Sequence, residues 1–78
     1  METVYGGRVS PSQQIADWLA GRISAGEWGP DEALPSEVTL VQELGVARTT
    51  VRRAIRILRE QGYVVTIQAR GTFVSRRE

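Results

Sequence analysis

The sequence predicts a single α+β domain in which three helices are followed by a two-stranded β-hairpin. Apolar residues recur at helical spacing in three segments; a serine or a tight turn precedes each segment, and a glycine follows it. After Gly62 the pattern changes to a run of β-branched and aromatic residues, which is typical of strands. With 78 residues the chain suffices for one small hydrophobic core and is too short for two.

The composition argues against several classes of function. The chain contains no cysteine and no histidine, so it lacks the common zinc ligands, the thiol nucleophile and the commonest general base. We therefore expect no enzymatic activity, no disulfide, no metal site and no cofactor. No apolar run approaches the ~20 residues that span a bilayer, and the first residues do not resemble a signal peptide, so we expect a cytoplasmic protein.

Residues 1–9 contain a pair of glycines and no periodic pattern, which predicts a flexible N-terminal arm. Val4 and Tyr5 are the residues of this arm that we consider for docking on the core. The folded domain is predicted over residues 10–76, with no effector-binding domain in the chain.

The first helix is predicted to begin after Ser10, whose hydroxyl suits the N-cap position. Pro11 suits the first helical position, and Gln13 is spaced to complete a capping box. Gly26 is expected to end the helix. Four residues of this helix are predicted to lie in the core: Ile15, Trp18, Leu19 and Ile23.

The connection to the second helix is rich in turn residues. Trp28 lies between glycines and acids, and we expect its ring to pack against the first helix. Pro35 favours an extended backbone at Leu34, which predicts a short strand before the next helix.

The second and third helices are predicted to be joined by a tight turn at Gly45-Val46-Ala47. Ser36 is the expected N-cap of the second helix, and Glu37 suits its positive end. The third helix is expected to start near Arg48. Its buried stripe has i, i+3, i+4, i+7 spacing and consists of Val51, Ala54, Ile55 and Leu58.

The opposite face of the third helix is cationic. No acid interrupts this face until Glu60. A solvated surface usually mixes charge signs, whereas arginines beside hydroxyls on a buried helix suit the major groove of DNA. The cationic face is predicted to comprise Thr49, Arg52, Arg53 and Arg56, with Arg48 and Arg59 at its flanks.

The β-hairpin is predicted to have strands at residues 63–67 and 72–75, joined by the four residues 68–71. A hairpin directly after such a helix gives the order of a winged helix-turn-helix. Arg70 at the hairpin tip is either a solvated loop charge or a contact to a phosphate or the minor groove, and the neighbouring cationic helix favours the contact.

The net charge of +1 conceals a marked asymmetry along the chain. Residues 1–45 carry two arginines and seven acids, whereas residues 46–78 carry eight arginines and two acids. Such a dipolar domain is expected to turn its basic end to a polyanion.

Several motifs resemble the N-terminal domain of GntR-type bacterial transcription regulators. They are Leu34-Pro35-Ser36-Glu37, the segment Leu44-Gly45-Val46-x-Arg48-Thr49-Thr50-Val51-Arg52, and Arg70-Gly71-Thr72-Phe73-Val74. The resemblance covers residues 10–75. It implies that Arg48, Thr49, Thr50 and Arg52 lie at the DNA interface, and that Gln68, Arg70 and Gly71 lie near the minor groove.

Together these considerations predict one DNA-binding set: Ser36, Glu37, Arg48, Thr49, Thr50, Arg52, Arg53, Arg56, Gln68, Arg70 and Gly71. Three positions depart from the family's pattern. Val38 stands where arginine is common, Ala47 where serine or threonine is common, and Ala69 where glycine is frequent. From these departures we expect one DNA contact and one helix cap to be missing, and a hairpin tip that is stiffer or differently turned.

The predicted function is sequence-specific binding of double-stranded DNA for transcription regulation, as a repressor or a fragment of one. The expected target is an inverted repeat bound by two copies, with a homodimer on DNA. The alternatives are a winged helix that binds other proteins and an accessory DNA-binding module of a mobile element. No small-molecule ligand can be inferred from these residues.

Overall fold

A computed structural model describes residues 10–76 of the chain. Three helices and one antiparallel hairpin follow one another as α1 (Pro11–Ser24), α2 (Glu37–Leu44), α3 (Arg48–Glu60), β1 (Val64–Ile67) and β2 (Gly71–Val74). The predicted fold class and element order are confirmed. The predicted arm at residues 1–9, including Val4 and Tyr5, lies outside the described residues.

Local hydrogen bonds define the starts of two helices. The hydroxyl of Ser10 accepts from the amide of Gln13 at 3.1 Å, and that of Ser36 accepts from the amide of Thr39 at 3.1 Å. The N-cap of α3 is Ala47, which has no side-chain acceptor. The first amides of α3 therefore keep more of their hydrogen-bonding capacity for an external acceptor.

The turn between α2 and α3 depends on Gly45. Its φ of 68° lies in the left-handed region, and its amide donates to the carbonyl oxygen of Val41 at 2.9 Å. Glycine adopts this conformation without a Cβ clash, so the chain reverses at once and α3 begins three residues later.

One apolar core lies between α1, α2, α3 and the base of the hairpin. Leu19, Leu40, Val51, Leu58 and Val64 are almost entirely removed from solvent. The rest of the buried apolar set is Ile15, Ala16, Ala20, Ile23, Leu34, Ala54, Ile55 and Val74. The back of α3 is therefore covered by α1 and α2, and its front is left to solvent.

Trp18 is not part of this core, contrary to the prediction, since 44% of its surface is exposed. The buried side of α1 includes Ala16 and Ala20 as well as the three aliphatic residues. Including these alanines moves the centre of the buried stripe to about 130° from Trp18 around the helix. The ring therefore lies at the surface.

The exposed ring of Trp18 takes part in a surface cluster around Arg22. The Arg22 guanidinium lies 4.5 Å from the centre of the Trp18 ring and 5.2 Å from that of Trp28. Arg22 also donates to Glu27, and this hydrogen bond lowers the pKa of the Glu27 carboxyl. Trp28 is half-buried and packs against the core, as predicted.

The hairpin, called the wing below (residues 64–74), is paired in the register Val64–Val74, Val65–Phe73, Thr66–Thr72 and Ile67–Gly71. Each strand begins within one residue of its predicted start, and the loop contains the three residues 68–70 rather than four. Leu34 lies in a short extended segment, as predicted, and its amide donates to the carbonyl oxygen of Thr72 at 2.9 Å.

Residues 10–76 contain neither a membrane-spanning helix nor a metal-binding cluster. No helix there is both long and apolar enough to cross a bilayer. No group of acidic, histidine or cysteine side chains there is arranged to hold a metal ion.

Candidate nucleic-acid interface

The two faces of α3 are divided as the sequence predicted. Its four stripe residues are buried, each with 8% exposure or less. On the opposite side the cationic face is exposed at all four of its positions, and so are the flanks. A convex row of guanidinium groups on a helix with a covered back can enter a groove about 12 Å wide. The face comprises Thr49, Arg52, Arg53 and Arg56, with Arg48 and Arg59 at its flanks.

The beginning of α3 combines three kinds of donor. Arg48 and Thr49 are exposed, Thr50 is half-buried, and the helix start carries no side-chain cap. Free amides at a helix N-terminus and a neighbouring guanidinium favour an anion such as a backbone phosphate.

Glu37 connects the start of α2 with the front of α3. Its carboxylate accepts from Arg52 Nε at 3.3 and 3.4 Å and lies 3.8 Å from Arg48 Nε. All three side chains are at least 40% exposed, so the pairs are worth at most about 1 kcal/mol each. These distances hold Arg52 through Nε and leave its two terminal nitrogens free to form other hydrogen bonds.

Ser36 supports this arrangement from within α2. Its hydroxyl accepts from the Thr39 amide and donates to Thr39 Oγ1 at 3.0 Å. The hydroxyl is therefore already engaged inside the helix cap, and the cap places Glu37 in the first turn facing α3. A direct contact from Ser36 to DNA stays a prediction.

The wing tip projects away from the core. Gln68, Arg70 and Gly71 are all exposed, and the amide of Arg70 donates to the carbonyl oxygen of Ile67 at 2.9 Å. Ala69 closes this turn with a φ of 68°, a conformation that favours glycine. The departure at Ala69 therefore leaves the backbone turn in place and adds strain of about 1 kcal/mol.

A shallow cationic groove separates α3 from the wing. Some of its lining residues belong to the predicted DNA-binding set, and others were not predicted to lie near that set. Arg59 Nη1 donates to Thr66 Oγ1 at 2.7 Å across its far end. This contact and the Glu37–Arg52 pair each join two separate elements. Neither could therefore be predicted from the spacing of residues within one element. The lining residues are Glu37, Arg52, Ile55, Arg56, Arg59, Thr66 and Thr72.

Comparison with known proteins identifies relatives of the whole described domain. Residues 11–74 match the family described as "Bacterial regulatory proteins, gntR family". The chain is 48% identical over 62 residues to the mannosyl-D-glycerate transport/metabolism system repressor MngR of Escherichia coli (strain K12). It is 41% identical over 63 residues to the HTH-type transcriptional repressor NagR of Bacillus subtilis (strain 168).

These alignments cover 80% and 81% of this chain and 26% of each relative. The chain therefore spans about a quarter of the length of the curated relatives it matches.

A solved structure of similar fold contains DNA. It is the crystal structure of AraR(DBD) in complex with operator ORR3, with a TM-score of 0.82 and 36% sequence identity. The match covers 86% of this chain and 81% of that one. Together with the family match over residues 11–74, this shows that the chain belongs to the GntR family of bacterial regulatory proteins.

Proposed function

We propose that this domain binds double-stranded DNA sequence-specifically and represses transcription. The observation that carries the proposal is the cationic face of α3, which is exposed at every position on a helix whose back is buried against α1 and α2. The crystal structures of AraR(DBD) in complex with operators ORR3 and ORE1, which share this fold, support DNA as the partner. MngR and NagR are both repressors, which supports repression here.

In the proposed complex, the N-terminal half of α3 enters the major groove. Arg52 is the proposed base reader, since its terminal nitrogens are free to fork onto O6 and N7 of guanine while Nε stays on Glu37. Thr49 is placed to meet a thymine methyl or a phosphate. Arg53 directly follows Arg52, Arg56 lies one turn beyond Arg52 on the same exposed surface, and both are proposed to contact phosphates.

Glu37 has a supporting role in this proposal. A free arginine side chain loses rotamer entropy when it is fixed on a base, and a partner that already holds Nε reduces that loss. Because the pair is exposed and weak, it adds little to the stability of the free domain. Its contribution is to specificity.

The wing is proposed to approach the adjacent minor groove through Gln68, Arg70 and Gly71. These residues lie at the end of the hairpin furthest from its buried base at Val64 and Val74. A guanidinium in a narrow minor groove or beside a phosphate is attracted by the backbone charge, largely independently of base identity.

We propose an inverted repeat as the target, with one copy of the domain on each half-site. A single domain of this size contacts few base pairs, and two half-sites multiply its discrimination. The site is cytoplasmic in this proposal, since that is where bacterial DNA lies. The domain acts by binding and catalyses no reaction.

Selection of bound sequences from a random DNA pool tests this function. We expect an enriched palindrome whose half-site contains a guanine, and binding to it that weakens steeply with salt. Each phosphate neutralised should contribute about −0.9 to the slope of log K against log salt. A pool that remains random after repeated selection, with binding insensitive to salt, would overturn the proposal.

A further inference from the structure

The wing has few contacts to hold its outer part in one orientation. Val64 and Val74 are buried at its base, with 1% and 4% exposure, whereas Val65 and Ile67 are 45% and 44% exposed. Two-stranded hairpins are marginally stable in isolation. The direction in which the tip points must therefore be set by contacts outside the hairpin itself.

The first of these outside contacts consists of backbone hydrogen bonds to β2. The amide of Asp31 donates to the carbonyl oxygen of Val74, and the amide of Leu34 donates to that of Thr72, both at 2.9 Å. These bonds hold β2 from one side. They do not reach β1.

The support for β1 comes from α3. Thr66 is two residues beyond the buried Val64, so alternation places its side chain on the face of the hairpin that looks toward the helices. There its Oγ1 accepts from Arg59 Nη1 at 2.7 Å. Because the donor is charged and the distance is short, this is stronger than an ordinary surface hydrogen bond.

Arg59 occupies a particular position on α3. It lies seven residues after Arg52, so it shares a row with Arg52 on the helix surface and is about 10 Å further along the axis. Arg52 contacts Glu37 of α2, and Arg59 contacts Thr66 of the wing. One end of this row therefore contacts α2, and the other end contacts the wing.

We propose that Arg59 is a positioning residue that fixes the tilt of the wing relative to α3. The inference rests on the proposed DNA-binding function. Thr66 lies about 10 Å before the tip, a distance similar to the width of a DNA groove. A small change of tilt at Thr66 therefore displaces Arg70 by a noticeable part of that width. With the tilt fixed, insertion of α3 into the major groove also brings Arg70 to the minor groove. The second contact is then intramolecular, so its effective concentration is high.

A competing role for Arg59 is direct contact with a phosphate. The two roles differ in what happens when the hydroxyl of Thr66 is removed. A positioning residue loses its acceptor, and the contribution of the wing falls. A phosphate-binding residue is released from an internal partner, and DNA binding stays constant or improves.

The decisive variant is Thr66→Val, which removes the acceptor, keeps the side-chain volume and leaves every arginine in place. Thr72→Val is the matched control, because Thr72 is the cross-strand partner of Thr66 on the same face. Thr66→Ser restores a hydroxyl. Valine favours strands, and thermal unfolding verifies that all three variants fold.

The first measurement uses the 78-residue chain without DNA. Hydrogen exchange at the amide of Leu34, which donates to the carbonyl oxygen of Thr72 and so joins the wing to the segment before α2, reports on movement of the wing against the rest of the domain. We expect exchange about threefold to tenfold faster in Thr66→Val than in wild type, and wild-type rates in Thr72→Val and Thr66→Ser.

The second measurement is a double-mutant cycle on the selected DNA. Arg70→Ala is expected to weaken binding about tenfold in wild type and about threefold or less in Thr66→Val. An equal effect of Arg70→Ala in both backgrounds, or tighter binding by Thr66→Val, overturns the proposal. If the wild-type chain selects no DNA site, the function fails, and the exchange rates still decide the role of Arg59.

Discussion

At the scale of single residues, the arginines of α3 differ in what holds them. Arg52 is held through Nε by Glu37, and Arg59 is held by Thr66. Within residues 10–76, neither Arg53 nor Arg56 forms an ion pair. Side chains held in one orientation suit base recognition, whereas unrestrained ones suit phosphates, which tolerate many geometries.

The first prediction separates a base reader from a backbone contact. Arg52→Ala should cost ~1–3 kcal/mol at the preferred site and relax the preference at one base pair. Arg70→Ala should weaken all sequences to a similar degree. Arg76→Ala removes the same charge from a residue that is paired with Asp31, and serves as the control. Loss of affinity on all sequences alike after Arg52→Ala would contradict its role as a reader.

The second prediction concerns Glu37. Replacement by glutamine keeps the shape of the side chain and removes its charge. Binding to random DNA should strengthen, because a negative charge leaves the interface, while discrimination at the base read by Arg52 falls about threefold to tenfold. Competition titrations with specific and random DNA measure both quantities. A rise in affinity with unchanged discrimination would show that Glu37 does not position Arg52.

At the scale of elements, helix caps and the stripe of α3 could be predicted because their signals are local. Ser10 and Ser36 bond to amides three residues away, and the stripe depends on one helix's own period. The prediction of a buried Trp18 is wrong because small residues such as Ala16 and Ala20 determine which side of α1 packs most closely. The Glu37–Arg52 pair joins residues 15 apart through the α2–α3 turn, so only the folded geometry reveals it.

The third prediction uses the contrast between Leu19 and Trp18 in α1. Leu19 is fully buried, so Leu19→Ala should reduce the free energy of unfolding by ~2–5 kcal/mol. That is a large part of the roughly 4–12 kcal/mol available to a domain of this size. Trp18→Ala removes a half-exposed ring and one cation–π contact and should cost less, about 1–2 kcal/mol. Urea denaturation measures both, and equal losses would contradict the surface position of Trp18.

The fourth prediction concerns acid and the end of α1. The hydrogen bond from Arg22 lowers the pKa of Glu27 in the folded state, so the pair stabilises the fold above the ordinary pKa of about 4.5. This contribution is lost as the pH falls through the lowered value. The melting temperatures of wild type and Glu27→Gln should therefore differ at pH 7 and converge in acid, well below the ordinary pKa of the Glu27 carboxyl. Glu60→Gln is the control, and a Glu27→Gln difference that persists at low pH would exclude this explanation.

At the scale of the whole molecule, charge and shape suggest how two copies meet on DNA. The described residues span 33 × 27 × 19 Å. Half-sites one helical turn apart are separated by about 34–36 Å, so copies on one face of the duplex would touch only at their edges. Apart from Glu37, the acids in residues 10–45 are expected to face away from the DNA, which limits repulsion from the phosphates.

The surface of the described residues offers little for a dimer in free solution. Ile57, the residue of α3 on the flank away from Arg52, is half-buried and packs against the core. The large apolar side chains with greatest exposure are distributed over α1, α2 and β1: Trp18, Val38, Val65 and Ile67. Stable dimers bury about 1,200–2,000 Å² in one continuous interface, and this distribution supplies no such area.

The last prediction is that the 78-residue chain is a monomer without DNA and binds two half-sites with modest cooperativity. Edge contacts between adjacent copies are worth about 1 kcal/mol, so the second copy should bind roughly fivefold more tightly than the first. Sedimentation velocity determines the free state, and titration of DNAs with one or two half-sites determines the coupling. Inserting five base pairs between the half-sites rotates one copy to the opposite face of the duplex and should abolish the coupling while preserving the affinity of each site. A tight dimer in the absence of DNA, or coupling that survives the insertion, would contradict this account.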